Sequence, residues 1–597
     1  MLEKDEDVVR EIDCDPALED KIFDKEGKPH SLLMEVITYG RELRFFNYEI
    51  EFPEALEGFD CIIGNPPWDK TKFSDADFFP QYKSNYRTLG NNEKKQIKKD
   101  LLDKPHIRER YDREAARITL LNEYLKREYP LNKGAGDGNL FRFFVEKNLS
   151  MLAPGGTLNY CLPSALMFED GSRALRQKIF GQYALNFFYS FENREGIFPD
   201  VDSRYKFALM QIANAPQTEV TKTLFYLLDP GKLNSTPILY DMEMLKLLSP
   251  EHLAFMEMRS SKDVGILKKC YAAYSPLDSG WLDFGNELHM TNDKSLFLEK
   301  TKSDSVPLYT GRMIWQYKSA FEGPQLFLDP KQFDDYFKNF ESRRIVSDIY
   351  PTLNTDESPH LLVVLRALDL PYIPDNNEAN LKQLHRFVVP DRTYYRLAFR
   401  EIASDTNERT LIFSLLPKGC GANHKLFTSI PKKYEISGNK VVLREVSILR
   451  LLFALAVYNS IILDSLARYI VQITVSKTYL GRLPIPQPDD AEIKENPEYN
   501  CLAMNALKLT IANDYDHFAE LAELFSLARE DVDLTDKQKE GLQIENDLIV
   551  AKMYGITAEE MEYILGSFKV LKGKKPQYVE TLIRKIGSSG RVCGVCR

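Results

Sequence analysis

The chain has 597 residues, 44% of them hydrophobic and 28% charged, with 30 glycines and 31 prolines. These are globular proportions, and they exclude a disordered, collagen-like or linker-dominated chain. The net charge of −10 argues against nucleic acid as a partner of the chain as a whole. Yet residues 381–482 hold sixteen Lys/Arg against seven Asp/Glu, a basic surplus of nine that reads as a phosphate-binding footprint.

The first twenty residues are acidic, with no apolar core of a signal peptide. The longest apolar stretch, 448–471, is broken by Arg450, Asn459, Asp464 and Arg468, so no transmembrane helix is expected. Of eight cysteines, only Cys593 and Cys596 have metal-site spacing, and no second Cys/His pair completes a set. The expectation is a reduced, cytoplasmic protein without membrane or metal.

In chain order, Phe59–Gly64 is a short apolar run ending in Gly, the pattern of a buried parallel strand. Residues 93–127 are charge-rich with helical period, an exposed excursion. Asn139–Leu152 reads as a helix with Leu140, Phe143, Phe144, Leu149 and Leu152 inward, stopped by Pro154-Gly155-Gly156. Strands follow at 157–162, 185–191 and 207–213, with a helix at 174–180 between the first two. Alternation of this kind predicts an α/β fold with a mostly parallel sheet. Residues 448–463 form an apolar helix of core type. Pro484, Pro486 and Pro488 punctuate a boundary, and 545–553 and 557–565 are helices. The expected organisation is a catalytic domain over 1–215 with its excursion at about 90–130, a connecting region at 216–300, an α+β recognition domain at 301–488, a helical domain at 489–586 and a flexible tail at 587–597.

The sharpest motif is Asn65-Pro66-Pro67-Trp68, directly after the strand 59–64. Such a tetrad arises by chance in about one chain in a hundred of this length, and it falls where open α/β sheets bind ligands. Its chemistry suits methylation of an exocyclic amine. The N6 lone pair of adenine is delocalised into the ring. Two acceptors on its two N–H groups, the Asn65 side-chain oxygen and the Pro66 carbonyl, would localise it. Proline rigidity aims both, and Trp68 offers a flat face to a base that has left its duplex.

The tetrad is similar to the catalytic motif of amino-methylating DNA methyltransferases. With Phe45–Glu54 before it, it resembles the large adenine-specific (N6) enzymes of type IIG restriction–modification and of BREX or DISARM phage defence. Asn139-Leu140-Phe141, 152–158 and Leu162-Pro163-Ser164 resemble their later sheet motifs. Residues 307–316 resemble the entrance to their target-recognition region, Arg400 and 407–412 its interior, and Tyr458-Asn459-Ser460, Asp464 and 483–486 its end. Residues 546–555 with 563–568 resemble the closing helices. The likeness spans about 40–586. It implies a Rossmann-like methyltransferase sheet, S-adenosyl-L-methionine as cofactor, double-stranded DNA as partner, and metal-free transfer. Arg400, Asn407, Arg409 and Lys477 are the candidate DNA-contacting residues.

That family holds S-adenosylmethionine on a glycine-rich loop upstream of the tetrad, where this chain has only 64 residues and no Phe-x-Gly-x-Gly. Glu11–Asp15 and Gly134–Gly138 do not replace it. The expectation is the carboxyl-terminal two-thirds of such an enzyme, with the cofactor half lost by truncation or carried on a separate polypeptide, and with no DNA cleavage. Two further readings stand beside it: a non-catalytic DNA-binding specificity component of a phage-defence complex, and methylation of protein glutamine or RNA.

Overall fold

The computed structural model describes Thr38, Gly40, 51–53, 56–132, 138–217, 220–301, 304–403, 407–471 and 474–588. Glu11–Asp15, most of 45–54, Gly134–Gly136 with Asp137, and the Cys593/Cys596 pair lie outside the described residues.

The fold is mixed α/β. Its first sheet holds β1 (Phe59–Gly64), β2 (Leu152–Pro163), β3 (Ala184–Glu192), β4 (Lys206–Ala213), β5 (Thr221–Leu227) and β6 (Ile238–Tyr240), in the order β1-β2-β4-β3-β5-β6. The expected parallel arrangement holds for β1 with β2 and for β3 with β5. β4 runs antiparallel between β2 and β3, because the chain returns from β3 through the loop 193–205 without a crossover helix. The carboxyl ends of β1, β2, β3 and β5 therefore share one edge. The sheet also continues past residue 215, through β5 and β6.

The excursion is two helices, α1 (Asn91–Leu102) and α2 (Pro105–Glu128). Pro105 starts the second, since a first-turn proline loses no helical hydrogen bond. The excursion has its own small core of Phe78, Phe79, Tyr86 and Ile107. Next come α3 (Leu140–Ser150) and, between β2 and β3, α4 (Arg173–Gln182). In α3 the apolar residues Phe141, Phe143, Val145 and Leu149 are buried, while Phe144 is exposed rather than inward. Pro154-Gly155-Gly156 does not separate helix from strand. It lies inside β2, where the register against β1 slips between Phe59 and Cys61. Gly155 sits at φ +79°, and a Cβ at Gly156 would overlap the Phe59 carbonyl oxygen.

β1 departs most from expectation. It is an edge strand, paired among the described residues only with β2. Cys61 is exposed and Ile63 is 82% exposed. Its apolar composition is that of a strand flanked on both sides, yet one flank has no partner among the described residues.

The second half contains β7 (Phe284–Gly285), α5 (Pro330–Ile349), β8 (Arg396–Arg400), β9 (Phe413–Leu416), β10 (Leu426–Ser429) and the hairpin β11 (Lys432–Ser437)–β12 (Lys440–Glu445). β9, β8, β10 and β7 form a four-stranded antiparallel sheet. Behind it the expected apolar helix is two helices, α6 (Ile448–Tyr458) and α7 (Ile461–Ala467), bent by 69°. No single helix among the described residues is long and apolar enough to cross a membrane. Every side chain of α7 and all but two of α6 are buried, as a core pair requires.

The bend has a physical cause. The Asn459 amide grips the backbone of β9, accepting from Phe413 N–H at 3.0 Å and donating to Phe413 C=O at 3.0 Å. Ser460 then caps α7. Helices α8 (Pro497–Asn513), α9 (Asp536–Met553), α10 (Ala558–Gly566) and α11 (Pro576–Ser588) close the fold. One apolar core runs without interruption from α3 to Leu582 of α11, crossing residues 215, 300 and 488.

Candidate active site

The tetrad leaves the carboxyl end of β1 as a turn with Asn65 exposed, Pro66 buried, Pro67 exposed and Trp68 half-buried. Neither proline has an N–H to give to a ladder, so the strand ends here. Asn65 Oδ1 accepts from the indole Nε1–H of Trp68 at 3.0 Å. No hydrogen bond among the described residues uses the Pro66 carbonyl.

The Trp68 ring packs on Phe198 at 5.2 Å between centroids and 71° between planes, and on Phe207 at 6.2 Å and 26°. Phe207 in turn stacks on Phe191 at 5.1 Å. These rings come from the end of β3, the start of β4 and the loop between them, the same edge that carries the tetrad. Asn193 pins that loop. It accepts from Phe198 N–H at 2.8 Å and donates to the carbonyls of Phe198 and Val201 at 2.9 and 2.8 Å. Sequence reasoning missed Phe198, Phe207 and Asn193, since no local pattern links them to residue 68.

Behind the turn, Thr71 N–H bonds to Gly138 C=O at 2.9 Å and Leu140 N–H to Asp69 C=O at 3.0 Å. Asn139 caps α3, accepting from Phe141 N–H. The Asn139-Leu140-Phe141 motif thus anchors the turn and starts the helix beneath it. Ser164, which ends the Leu162-Pro163-Ser164 motif, is buried and hydrogen-bonded to Ser190 of β3 at 2.9 Å, a tie between neighbouring segments of the sheet.

The four candidate DNA-contacting residues are not brought together as one surface. Arg400 is half-buried, donates to the Ile314 carbonyl and lies 5.3 Å from the Trp315 ring centre. Burial lowers its ordinary pKa. Asn407 is exposed. Arg409 is 5% exposed; burial alone would lower its pKa, but Tyr578, Asp547 and Asp464 beside it raise it. A guanidinium so enclosed is a buried charge. Lys477 is exposed and paired with Asp283 at 2.6 Å.

Six cations of 381–482 are also spent on acids from the rest of the chain. Arg392 pairs with Asp334, Arg396 with Glu287, Lys418 with Glu520, Lys432 with Glu341, Arg450 with Asp490 and Lys477 with Asp283. Each of these acids lies outside the segment. A charge excess counted along the chain is therefore not a field at the surface.

A concave surface does lie on the strand-end edge. Two adjoining cavities of about 440 and 400 Å³ share Arg259, Arg468, Ser567 and Lys569. Arg194, just past β3, and Asn407 line the smaller. The cleft joins the first sheet to α10 and the 407–409 segment. Among the described residues no group of three His, Cys, Asp or Glu is placed to hold a metal ion.

Residues 13–101 and 105–198 match the Eco57I restriction-modification methylase family, a stretch that contains the tetrad, α3, β2, β3 and Phe198. No curated protein matches. Among solved structures, the type IIL restriction-modification enzyme MmeI in complex with DNA is 10% identical over 88% of this chain and 59% of its own, with a TM-score of 0.40. The type IIG restriction endonuclease BpuSI is 11% identical over 79% of this chain and 53% of its own, with a TM-score of 0.25. The chain thus spans between half and three-fifths of the length of these two enzymes.

Proposed function

We propose that this chain carries the catalytic turn and the DNA-reading region of a site-specific methyltransferase that modifies adenine N6 in a restriction–modification or phage-defence system. The observation that carries the reading is the exposed Asn65 on a proline-stiffened turn at the carboxyl end of a parallel strand, inside the segment that matches a restriction-modification methylase family. An adenine flipped from its duplex would place its amine between Asn65 Oδ1 and the Pro66 carbonyl. Two fixed acceptors there draw the nitrogen toward tetrahedral geometry and concentrate its lone pair, with little reorganisation at the moment of reaction. The cleft lined by Arg194, Arg259, Asn407 and Lys569 offers donors to the duplex around the flipped base, and Arg400 and Lys477 flank the recognition strands.

S-adenosyl-L-methionine is the methyl donor in this reading. The described residues alone do not fit it: no glycine-rich strand-to-helix loop stands beside β1. The flank of β1 that has no partner among the described residues is where a cofactor-binding segment would complete the sheet, on a separate polypeptide or on further chain. The same flank favours the second reading, a non-catalytic DNA-binding specificity component.

The test is transfer of tritiated methyl groups from S-adenosylmethionine to duplex DNA, with and without the upstream segment of a related enzyme, for wild type and Asn65→Ala. Label on adenine N6 with wild type and none with Asn65→Ala, at equal DNA affinity, supports the methyltransferase. Tight DNA binding with no label under either condition leaves the specificity component. Label on RNA or protein but not on DNA refutes both.

A further inference from the structure

We propose that Trp68 acts on Asn65 through its indole N–H, as a positioning residue, and not only as a surface for a base; the inference rests on the role given to Asn65 above. An indole N–H donates and cannot accept, so the Asn65 atom 3.0 Å from it is the amide oxygen. That bond sets the amide plane and turns the NH₂ group away. It leaves the second lone pair of Oδ1 free for a substrate amine. Without it, an exposed Asn on a turn samples several rotamers, and its NH₂ group faces the amine in some of them, repelling it.

The geometry is built rather than incidental. Pro66 and Pro67 hold the three-residue separation between donor and acceptor with fixed φ angles. The indole is held by Phe198 and Phe207. Phe198 is held by the three Asn193 hydrogen bonds of 2.8–2.9 Å, and Asn193 is itself buried. A line of support runs from the loop after β3, through two rings, to the one amide that faces substrate. Supporting bonds of this kind change activity by roughly tenfold to a hundredfold when removed.

The test replaces Trp68 with 3-benzothienylalanine, which keeps the ring shape and exchanges the N–H for sulfur. The expected result is a kcat for methyl transfer lower by roughly tenfold to a hundredfold, with the KM for DNA and the melting temperature unchanged. Trp68→Phe gives the same loss of kcat plus some loss of stability. A kcat equal to wild type in the isostere overturns the proposal. A second measurement needs no activity. In protein labelled with ¹⁵N-tryptophan, the Trp68 indole N–H resonance should move upfield and exchange faster in Asn65→Ala. An unmoved resonance overturns the proposal as well. Wild type that transfers no methyl group to any substrate defeats the reading of function instead, and the resonance experiment still decides the bond.

Discussion

Two regions of the molecule use the same residue types in opposite ways. At β1, an apolar strand has one flank without a partner among the described residues and is followed by an exposed Asn. At the α6–α7 bend, an Asn and two Asp are enclosed on every side. Asn459 grips β9. Asp464 accepts from Thr410 and Leu411 N–H at 2.9 and 3.2 Å, and Asp547 of α9 accepts from Ile461 N–H at 2.8 Å and from the Tyr578 hydroxyl of α11. Both regions carry motifs of the same family resemblance. Asn65 has its capacity left for a ligand. Asn459, Asp464 and Asp547 have theirs consumed by backbone groups, by Arg468 and by Tyr578, so they join β9 to the closing helices. In the proposed reading, chemistry is concentrated where packing stops short, and scaffold where it is complete.

The contrast is broken most directly by comparing equivalent substitutions in the two regions. Asn65→Ala should lower methyl transfer by roughly a thousandfold with no change in melting temperature. Asn459→Ala should act the other way, costing about 1–3 kcal/mol of stability because the Phe413 N–H is left buried without a partner, while its carbonyl keeps the Tyr317 N–H. Denaturant titration beside a transfer assay measures both. Equal stability of the two variants would mean that the bend is not a clasp.

Next in size is the core charge. Arg409→Met leaves Asp547 without the buried cation beside it, while Asp464 keeps Arg468, and should cost about 3 kcal/mol. Weakened DNA binding at unchanged stability would return Arg409 to the DNA-contacting set.

Gly156→Ala tests how the tetrad is placed. The added methyl meets the Phe59 carbonyl oxygen and must push β1 off β2, at about 1–3 kcal/mol. Methyl transfer should fall with it, because Asn65 moves with the strand.

The smallest perturbation is chemical labelling at pH 8. Iodoacetamide should modify exposed Cys61 within minutes. Cys161 and Cys270, whose thiols burial pushes up to about 11 and about 12, should stay unmodified until unfolding. Only the thiolate reacts. At pH 8, a pKa of about 11 leaves roughly one Cys161 in a thousand ionised, rising tenfold per pH unit. Protection of Cys61 by an added cofactor-binding segment would map that segment to β1.

Several elements were legible from residue order alone. Period and turn residues were enough for β1, α3, β2, α4, β3 and β4 to within a few positions, since each is a local pattern of apolar spacing. The tetrad was legible too, because four consecutive residues carry its chemistry. Three features were decided only in three dimensions, each for the same reason: their partners are distant in sequence. The direction of β4 follows from where the chain returns. The pairing of β1 with β2 alone among the described residues follows from which distant segment packs beside it. The fate of the basic block was set by acids such as Asp334, Glu520 and Asp283, which fold back onto it from outside the segment. The sequence by itself determined which groups could do chemistry and where strands and helices begin. Tertiary structure decided which of those groups remain unspent, because burial and pairing depend on neighbours that no local pattern contains.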